Sequence, residues 1–379
     1  MDAEKIIAFR RELHQNPELS GREQETGNRV KSFIEQSHPD KVIENLGGHG
    51  IAFVFDSGIA GPTVLFRADL DALPIKEINS FEYRSEHPGV SHKCGHDGHM
   101  AILSYLSGKI NEQRPQKGKV VLLFQPAEET GEGAEKVIKD EKFKEITPDY
   151  AFALHNLPGF RKHDIIIREK TFASASKGTI IKLHGKTAHA GEPENGINPA
   201  MAVSEIIKEF YHLPSKGDFN DFTLITLINV KIGEKAFGTS AGYGEVMATL
   251  RSYRNDDMEK LTKKTEDFIR KIAEKEKLDA DIEYTEEFLA TENDPECNQL
   301  IEKSAKENNL YIDKKEATFR WSEDFSHFTT KFNGALFGLG SGIDQPQLHN
   351  PDYDFPDEII ETGASVFFSI YKKLLINKS

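Results

Sequence analysis

Apolar and polar positions along the first half of the chain predict strands and helices that follow one another. In the first forty residues, apolar side chains recur at helical spacing, and the pair Asn16-Pro17 interrupts the pattern. Four short apolar runs then have the length and composition of buried strands, at residues 50–56, 63–67, 119–124 and 150–155. Helices are predicted after Asp97 and after Gly133, and this alternation is the pattern of a layered α/β domain.

The pattern changes from about Ser174. The predicted elements are then a strand at 178–184, a helix at 199–211, strands at 222–230 and 245–253, a helix at 258–275 and a strand at 280–284. This β-α-β-β-α-β order resembles a ferredoxin-like unit. Two further helices, at 295–307 and 358–375, flank a strand at 334–339. The fold predicted is an α/β domain with a central mixed sheet, built from residues 1–173 and 285–379, with a ferredoxin-like α+β domain inserted at 174–284.

Composition narrows the class of protein. The chain has 379 residues, of which 37% are hydrophobic, so it can form real cores and global disorder is excluded. It carries 48 basic and 62 acidic residues, a net charge of −14. A surface this acidic repels phosphate backbones and anionic lipids, and no basic patch is visible. We therefore expect neither nucleic acid nor a membrane surface as a partner.

Cysteine content and the N-terminal sequence predict a compartment. Two cysteines, Cys94 and Cys297, are too few for a disulfide framework, which indicates a reducing environment. The chain begins Met-Asp-Ala-Glu-Lys and shows no signal-peptide pattern. Its densest apolar runs are of strand length, far short of a membrane span. We expect a soluble cytoplasmic protein.

The strongest local signal for chemistry is the segment 91–100, which reads SHKCGHDGHM. Cys94 and His96 stand two positions apart on a turn that enters a predicted helix. The glycine between them, Gly95, lets the backbone bend, so that a thiolate and an imidazole can reach one metal ion without strain. By itself a buried cysteine is more often a small apolar side chain, so this pair gains meaning only from partners elsewhere.

Acidic side chains follow two of the predicted strands. Glu128 and Glu129 come after the strand at 119–124, and adjacent carboxylates at a strand end are expected to point in different directions. One can then bind a metal while its neighbour faces a water molecule as a general base. Asp69 and Asp71 follow the preceding strand and can orient ligating imidazoles. The competing interpretation of these four residues is a solvated turn or an ordinary capping role.

Two more histidines complete a possible ligand set. His155 ends an apolar run in which an imidazole is costly to bury unless it is paired or metal-bound. His349 stands late in the chain among turn residues. Either one alone is more often structural. Together, thiolate, imidazole and carboxylate are the mixture that a transition-metal hydrolase uses, and the set is Cys94, His96, Glu129, His155 and His349.

With these residues in view, the chain resembles the M20 metallopeptidases, and within them the amidohydrolase subfamily that includes hippurate hydrolases, N-acyl amino acid deacylases and indole-acetyl-amino acid hydrolases. The resemblance covers nearly the whole chain. It consists of short motifs in the same order, which are RELH and PEL within 11–19, RADLDALP at 67–74, CGHDGHM at 94–100, QPAEE at 125–129, ALH at 153–155, GKTAHA at 185–190 with Pro193, Gly196 and Asn198, TLR at 249–251, SEDF at 322–325 and LHNP at 348–351. Several motifs in the correct order are far harder to obtain by chance than any one.

The resemblance implies a dinuclear metal site in the α/β domain, which would be the catalytic domain. Cys94 is then the thiolate that bridges two divalent ions of Zn, Mn, Co or Ni. The ligands that complete the two sites are His96, Glu129, His155 and His349. Glu128 is the general base, because it stands next to a ligand without being needed as one, and it passes the proton of the attacking water to the leaving amine. Asp97 and His99 are expected to support the ligands, or else to cap a helix and fill the core.

The inserted domain acquires a role by the same resemblance, as a lid or dimerisation domain. In the family, the histidine that matches His189 enters the active site of the partner subunit of a homodimer and stabilises the oxyanion of the tetrahedral intermediate. The arginine that matches Arg251 receives the carboxylate of the substrate, an anion that a guanidinium binds bidentately. From composition alone, a loop histidine and a surface ion pair are the ordinary interpretations of these two residues.

One segment departs from the family pattern. Many relatives carry an Ala-x-Asn-Val-Ile-Pro run before the strand that leads to Thr-Leu-Arg, whereas residues 236–241 here read AFGTSA, with Gly238 at the position of the asparagine. Because that asparagine contacts substrate in relatives, the departure concerns which substrate is preferred. Thr239 or Ser240 can replace it as a donor. The metal-site motifs are intact, so the predicted class of reaction is unaffected.

Four functions are compatible with these features. The leading one is a metal-dependent amidohydrolase that cleaves N-acyl or N-aroyl amino acids, and the alternative is a dipeptidase or aminopeptidase that uses the same site. A third function is a thiol hydrolase with Cys94 as nucleophile and His96 as base, but their closeness leaves no gap for a substrate. A fourth is a silent metal-binding protein, which would have no reason to keep Glu128 beside the ligand Glu129.

Overall fold

The chain forms two compact units in the computed structural model, which describes residues 2–216 and 218–376. Unit 1 comprises Met1–Phe172, Thr291–Thr318 and Asp324–Ser379, and unit 2 comprises Ala173–Ala290 with Phe319–Glu323. The second boundary differs from the expected end of the insertion at residue 284, because the last strand of unit 2 continues to Phe288.

The helices and strands alternate along the chain. The helices are α1 (Ala3–Gln15), α2 (Gln24–Ile34), α3 (His96–Glu112), α4 (Gly133–Lys139), α5 (Ala200–Lys216), α6 (Asn255–Lys275), α7 (Pro295–Glu307), α8 (Ser326–Thr329) and α9 (Ile360–Leu375). The strands are β1 (Lys41–Leu46), β2 (Gly50–Asp56), β3 (Thr63–Asp69), β4 (Lys119–Gln125), β5 (Tyr150–Pro158), β6 (Ile165–Ile167), β7 (Lys170–Ala173), β8 (Ala175–His184), β9 (Ala188–His189), β10 (Thr223–Ile232), β11 (Thr239–Ser240), β12 (Tyr243–Ser252), β13 (Asp279–Phe288), β14 (Thr291–Asn293), β15 (Ile312–Lys314) and β16 (Asn333–Gly342).

Unit 1 is built on an eight-stranded mixed sheet with the strand order β1-β2-β4-β3-β5-β16-β6-β15. Strands β4, β3, β5 and β16 run parallel to one another, and β1 and β2 pair antiparallel with their neighbours. Strand β6 is antiparallel to β16 and parallel to β15. Residues of β3 and β4 are buried almost without interruption, as in a sheet covered on both faces, and this explains their continuous apolar sequences. The predicted α/β class with a central mixed sheet is confirmed.

The register of the sheet brings the predicted site residues to one level. Asp69, the last residue of β3, lies opposite Gln125, the last residue of β4. Arg67 lies opposite Ala153 of β5, so His155, two residues further on, reaches the level of Asp69. Carboxyl ends of parallel strands meet at one edge of such a sheet, which is where ligands gather.

Unit 2 contains a four-stranded antiparallel sheet in the order β10-β12-β8-β13. Helices α5 and α6 pack against this sheet and against each other, and the core between them includes Ile181, Ile206 and Leu261. Burial alternates residue by residue along β12, so one face of the sheet is covered and the other is more open. Chain order and strand order together give the β-α-β-β-α-β topology of a ferredoxin-like fold.

No helix within residues 2–216 and 218–376 combines the length and the apolar composition that crossing a lipid bilayer requires.

Candidate metal centre

Five side chains predicted as metal ligands converge in unit 1. The Sγ of Cys94 lies 3.4 Å from Nε2 of His155. The carboxylate of Glu129 lies between two imidazoles, with Oε1 3.9 Å from Nε2 of His96 and Oε2 3.8 Å from Nε2 of His349. Side chains from the first, middle and last parts of the unit therefore meet at one place.

These side chains form two overlapping sets of possible ligands. In each set the ligand atoms lie within 4.8 Å of one another, and the sets are Cys94 with His96 and His155, and Cys94 with Glu129 and His349. The thiol of Cys94 is common to both sets. A shared thiolate between two groups of nitrogen and oxygen donors is an arrangement that can hold two neighbouring cations.

The turn that carries Cys94 and His96 depends on glycine. Gly95 has φ of 91° and is the residue that precedes α3, so the chain enters the helix through a left-handed conformation. A Cβ at this position would also approach the side chain of Asn156 to 2.7 Å. Both the backbone angle and the close approach require glycine, as the sequence predicted for the turn.

Each buried imidazole is oriented by a main-chain carbonyl. Nδ1 of His96 donates to the carbonyl of Asp71 at 2.9 Å, and Nδ1 of His155 donates to the carbonyl of Asn156 at 2.9 Å. With the proton on Nδ1, the Nε2 atom of each ring carries the lone pair that a metal ion needs. In this tautomer each ring donates through Nδ1 to the main chain and turns Nε2 toward the cluster, where it can bind a metal ion.

The two adjacent carboxylates do not diverge as the sequence interpretation expected. Oε2 of Glu128 and Oε1 of Glu129 lie 3.8 and 3.9 Å from the same atom, Nε2 of His96. Ala127 has φ of 54°, which ends the extended chain and places both glutamates in a turn. Because they are not part of a pleated strand, the alternation of side chains that the prediction assumed does not apply. Both carboxylates thus face the ligand cluster.

The charges of the site favour a cation. Burial lowers the basicity of His96, but the carboxylates of Asp69, Asp71 and Glu129 outweigh it and raise the pKa of His96 to about 10. Burial raises the pKa of Glu129 to about 7 despite the opposing effect of His96. The cluster therefore holds more negative charge than its own imidazoles compensate, and a metal cation would replace the proton on the ring.

Two atoms at the centre of the cluster fit a bound metal. Nε2 of His96 and Oε1 of Glu129 are buried and have no hydrogen-bond partner among the described residues. An unsatisfied buried polar atom costs about 1–3 kcal/mol, so such atoms ordinarily have an unseen partner. Thiolate, imidazole and carboxylate together suit a transition metal rather than Ca²⁺ or Mg²⁺.

A layer of buried polar side chains backs the ligands. Of the two residues expected to support the site, His99 does so, since Nδ1 lies 3.3 Å from Oδ2 of Asp69 and Nε2 donates to Asn156 at 2.6 Å. Asp97 neither caps α3 nor contacts a ligand. It is buried against the first helix, where Oδ2 forms an ion pair with Nε of Arg10 at 2.9 Å and accepts a hydrogen bond from Nδ1 of His14 at 2.8 Å.

A buried arginine in this layer was not predicted as a functional residue. The guanidinium of Arg67 lies within β3, where NH1 pairs with Asp69 at 2.6 Å and Nε donates to Gln125 at 3.0 Å. It also pairs with Asp324, and this carboxylate accepts from the first turn of α4 through the N–H of Ala134 at 2.8 Å. The side chains of this network lie in three of the family motifs, 67–74, 125–129 and 322–325, but nothing in those motifs indicates that they contact one another.

The two remaining predicted residues belong to unit 2. His189 is exposed on the two-residue strand β9, where it pairs with Thr239 of β11. The departure at Gly238 is adjacent, because its carbonyl accepts from the N–H of Ala190 at 3.0 Å. The unusual segment and the predicted oxyanion donor are thus neighbours in the fold.

Arg251 lies near the end of β12 and is held by neutral acceptors. Its NH1 donates to the carbonyl of Arg320 at 2.7 Å and to Oγ of Ser322 at 3.1 Å. No carboxylate in the part of the chain that the structure describes forms an ion pair with it, and burial lowers its pKa. A partly desolvated guanidinium of this kind can bind an external anion.

Comparisons with known proteins give a consistent result. The model of peptidase family M20/M25/M40 matches residues 65–373. The chain is 32% identical over 356 residues to the N-acetyldiaminopimelate deacetylase of Exiguobacterium sibiricum. This match covers 92% of the present chain and 95% of the relative. The chain is also 29% identical over 388 residues to the IAA-amino acid hydrolase ILR1-like 4 of Arabidopsis thaliana, covering 98% and 86%.

Solved structures agree in fold. A protein of methicillin resistant Staphylococcus aureus, described as a candidate aminohydrolase, superimposes with a TM-score of 0.90 at 26% identity and covers 98% of this chain and 97% of its own. The YXEP protein of Bacillus subtilis, described as a dinuclear metal binding peptidase, gives a TM-score of 0.84 at 22% identity, with 99% of both chains covered.

Proposed function

The chain belongs to peptidase family M20/M25/M40, whose members hydrolyse amide bonds, and on that premise we propose that it is a metal-dependent amidohydrolase of N-acyl or N-aroyl amino acids. The observation that carries this proposal is the position of Glu128. This carboxylate is 5% exposed and lies in the ligand cluster beside His96 and Glu129, and the two sets of possible ligands that share Cys94 do not include it. Relatives named as an N-acetyldiaminopimelate deacetylase and as an IAA-amino acid hydrolase support the same class of substrate.

Two divalent ions, of Zn, Mn, Co or Ni, would be held by the two sets that share Cys94. The first set is Cys94, His96 and His155, and the second is Cys94, Glu129 and His349. Bound there, such ions lower the pKa of a water molecule and polarise an amide carbonyl. These ions fit the cluster because Nε2 of His96 and Oε1 of Glu129 are buried without a hydrogen-bond partner among the described residues, and because thiolate and imidazole are donors that transition metals prefer.

In the proposed reaction, Glu128 acts first as a general base and then as a general acid. Its carboxylate accepts the proton of the attacking water and passes it to the nitrogen of the leaving amino acid, so that the amine departs neutral. Acid–base catalysis of this kind contributes about 10²–10⁴ to a rate. Burial next to His96 keeps Glu128 at a fixed position, so the proton moves over a short distance.

Two residues of unit 2 complete the proposed site. His189 would donate a hydrogen bond to the oxyanion of the tetrahedral intermediate, reaching it from the partner subunit of a homodimer. Arg251 would bind the carboxylate of the amino acid, and its lack of an acidic partner within the described residues supports this role. The charge of Arg251 then selects substrates with a free carboxylate.

An exposed edge strand supports a homodimer. Strand β10 lies at the edge of its sheet, and its second half, residues 228–232, is exposed although three of its five side chains are apolar. An edge strand can pair antiparallel with its own copy across a two-fold axis, which satisfies both sets of main-chain groups. We also propose a cytoplasmic location, since only two cysteines in 379 residues is typical of a protein of a reducing compartment.

The first experiment measures metal content together with a screen of substrates. We expect about two metal equivalents per chain and turnover of N-acetyl and N-benzoyl amino acids. Faster turnover of dipeptides would favour an exopeptidase that uses the same site. No turnover of any N-acyl amino acid after loading with Zn, Mn, Co or Ni would contradict the proposal.

The second experiment tests substrate selection by Arg251. Substitution Arg251→Met should raise KM for an N-acyl amino acid by about 10–100-fold, since a charge-assisted bidentate contact contributes about 1.5–3 kcal/mol. The same substitution should leave KM unchanged for the matching substrate with a C-terminal amide. An equal change with both substrates would contradict a carboxylate contact.

A further inference from the structure

We propose that Lys93 is a positioning residue for the second of the two metal ions, through its hold on the loop that carries His349. The inference rests on the proposed function, because it assigns a role toward ions that the ligand cluster would bind. It concerns a residue that the chemistry of the site does not use.

Lys93 contacts the loop of His349 through both its main chain and its side chain. Its carbonyl accepts a hydrogen bond from the N–H of His349 at 2.8 Å. Its Nζ donates to the carbonyl of Tyr353 at 2.7 Å. Lys93 therefore fixes the loop at the ligand itself and again four residues later, and it is also the neighbour of Cys94 in the chain.

His349 depends on such contacts more than the other ligands do. Its side chain is 52% exposed, whereas Glu129 is 12% exposed and His96 is fully buried. It is also in the left-handed region with φ of 65°, a conformation that a residue other than glycine holds only when its surroundings fix it. Packing does not hold this imidazole in place, so the backbone beneath it must.

The charge of Lys93 is compensated inside unit 1. The lysine side chain is fully buried and forms an ion pair with Glu77, which also accepts from Nε2 of His14 at 3.0 Å. A lysine is buried completely only where a partner offsets the loss of its hydration. The pair thus explains how an ammonium group can lie beneath the loop and donate to Tyr353 there.

Lys93 should act on one ion more than on the other. His96 begins helix α3 and His155 lies on strand β5, so the first set of ligands is held by regular secondary structure. The second set includes His349, whose loop is held by Lys93. Loss of the lysine side chain should therefore weaken the second ion selectively, while the first ion remains.

The experiment is a titration of the full-length chain with Co²⁺, followed by calorimetry and by the visible absorption of cobalt. Lys93→Met removes the donor and the charge, and Lys76→Met is the matched control, since Lys76 is exposed on the preceding loop. In Lys93→Met we expect the first equivalent to bind within threefold of the unmodified chain and the second to bind about 10–100-fold more weakly. Lys76→Met should bind both equivalents unchanged.

A second variant covers the case in which Lys93→Met does not fold. Lys93→Arg keeps a positive charge beside Glu77 but moves the donor atoms, so it should fold and weaken the second ion less than methionine does. The inference would be overturned if Lys93→Arg bound each ion with the same affinity as the unmodified chain, while Lys93→Met was either unchanged in affinity or unfolded. Equal weakening of both ions would overturn it too, since that result indicates general destabilisation. Fewer than two equivalents in the unmodified chain would instead overturn the proposed function.

Discussion

The main-chain N–H of Gly191 donates a hydrogen bond to Nδ1 of His189, with an N···N distance of 3.1 Å. An acceptor at Nδ1 requires the proton of the neutral ring to be on Nε2. The imidazole of His189 therefore presents an N–H donor on its outer side without needing to be protonated. This is the tautomer that a developing oxyanion requires.

His189→Ala should lower kcat by about 10²–10³, the usual effect of removing an oxyanion donor, with a much smaller change in KM. The measurement is steady-state hydrolysis of an N-acetyl amino acid. Since unit 1 and its ligands are untouched, metal content should stay at the level of the unmodified chain.

Mixing two inactive variants shows which chain supplies this histidine. If His189 acts on the partner subunit, refolding His189→Ala together with Glu128→Gln should restore about a quarter of full activity, because half of the dimers then contain one intact site. If the mixture remains inactive, the histidine acts within its own chain and the predicted exchange between subunits is wrong.

Glu128→Gln should reduce kcat by about 10²–10⁴ and leave metal content unchanged, because the amide keeps the shape of the carboxylate but cannot accept a proton from water. Glu132→Gln is the matched control, as Glu132 is exposed four residues further along the chain and, among the described residues, its carboxylate pairs only with Lys136 at the surface. Loss of metal along with activity would instead indicate that Glu128 is a ligand.

Gly238→Asn should improve binding of the carboxylate. A Cβ at Gly238 meets no atom within 4 Å, and its φ is not in the left-handed region, so asparagine can be accommodated. A hydrogen bond to a charged group contributes about 1.5–3 kcal/mol, which corresponds to a KM lower by about tenfold or more. Gly238→Ala, which adds bulk without an amide, should leave KM unchanged, and a fall in KM with alanine would contradict this explanation.

Glu77 should make stability depend on pH. Burial raises its pKa, but His14 and Lys93 outweigh that effect and lower the pKa to about 2 from an ordinary 4.5. A lowered pKa stabilises the folded state above about pH 4.5, and this contribution is lost as the pH falls toward 2. The unmodified chain should exceed Glu77→Gln by about 2–3 kcal/mol in free energy of unfolding at pH 6.

The measurement is urea denaturation of the metal-free proteins between pH 6 and pH 3. The difference between the two proteins should shrink as the pH falls, because glutamine resembles the protonated carboxyl group. Glu82→Gln, at an exposed position five residues away, should show a small difference that is constant with pH. A difference for Glu77→Gln that stays constant with pH would mean that the pKa of Glu77 is the same in the folded and unfolded states, which would contradict a lowered pKa.

Much of the fold followed from hydrophobic pattern, and the exceptions have physical causes. The interior strands β2, β3 and β4 were predicted almost to the residue, since strands buried on both faces are continuous apolar runs. Strand β1 was not predicted. It lies at the edge of the sheet, with only Ile43 and Leu46 buried, and its charged residues hide the period of two.

The side chains that the structure brings together around Cys94 could be selected from sequence motifs, whereas the buried charged residues near them could not. The sequence says that Arg67 and Lys93 are charged, but nothing local indicates that both are fully buried. Their burial depends on Asp324 and Glu77, which are distant in the chain or on another loop. The orientation of Glu128 and Glu129 likewise depends on the left-handed Ala127, which no propensity for alanine foretells.

Strands β5 and β16 are neighbours in the sheet, and His155 near the end of β5 lies opposite Gly338 of β16. All of unit 2 is nevertheless translated between these two strands. At about 5–20 residues per second, a ribosome needs roughly ten to forty seconds to proceed from His155 to His349. During that interval unit 2 can fold, while Cys94 has been synthesised but His349, the last member of the predicted ligand set, has not. In the function proposed above, metal would therefore be inserted only after His349 has been synthesised, and the supply of free metal at that stage would govern how much of the protein becomes active.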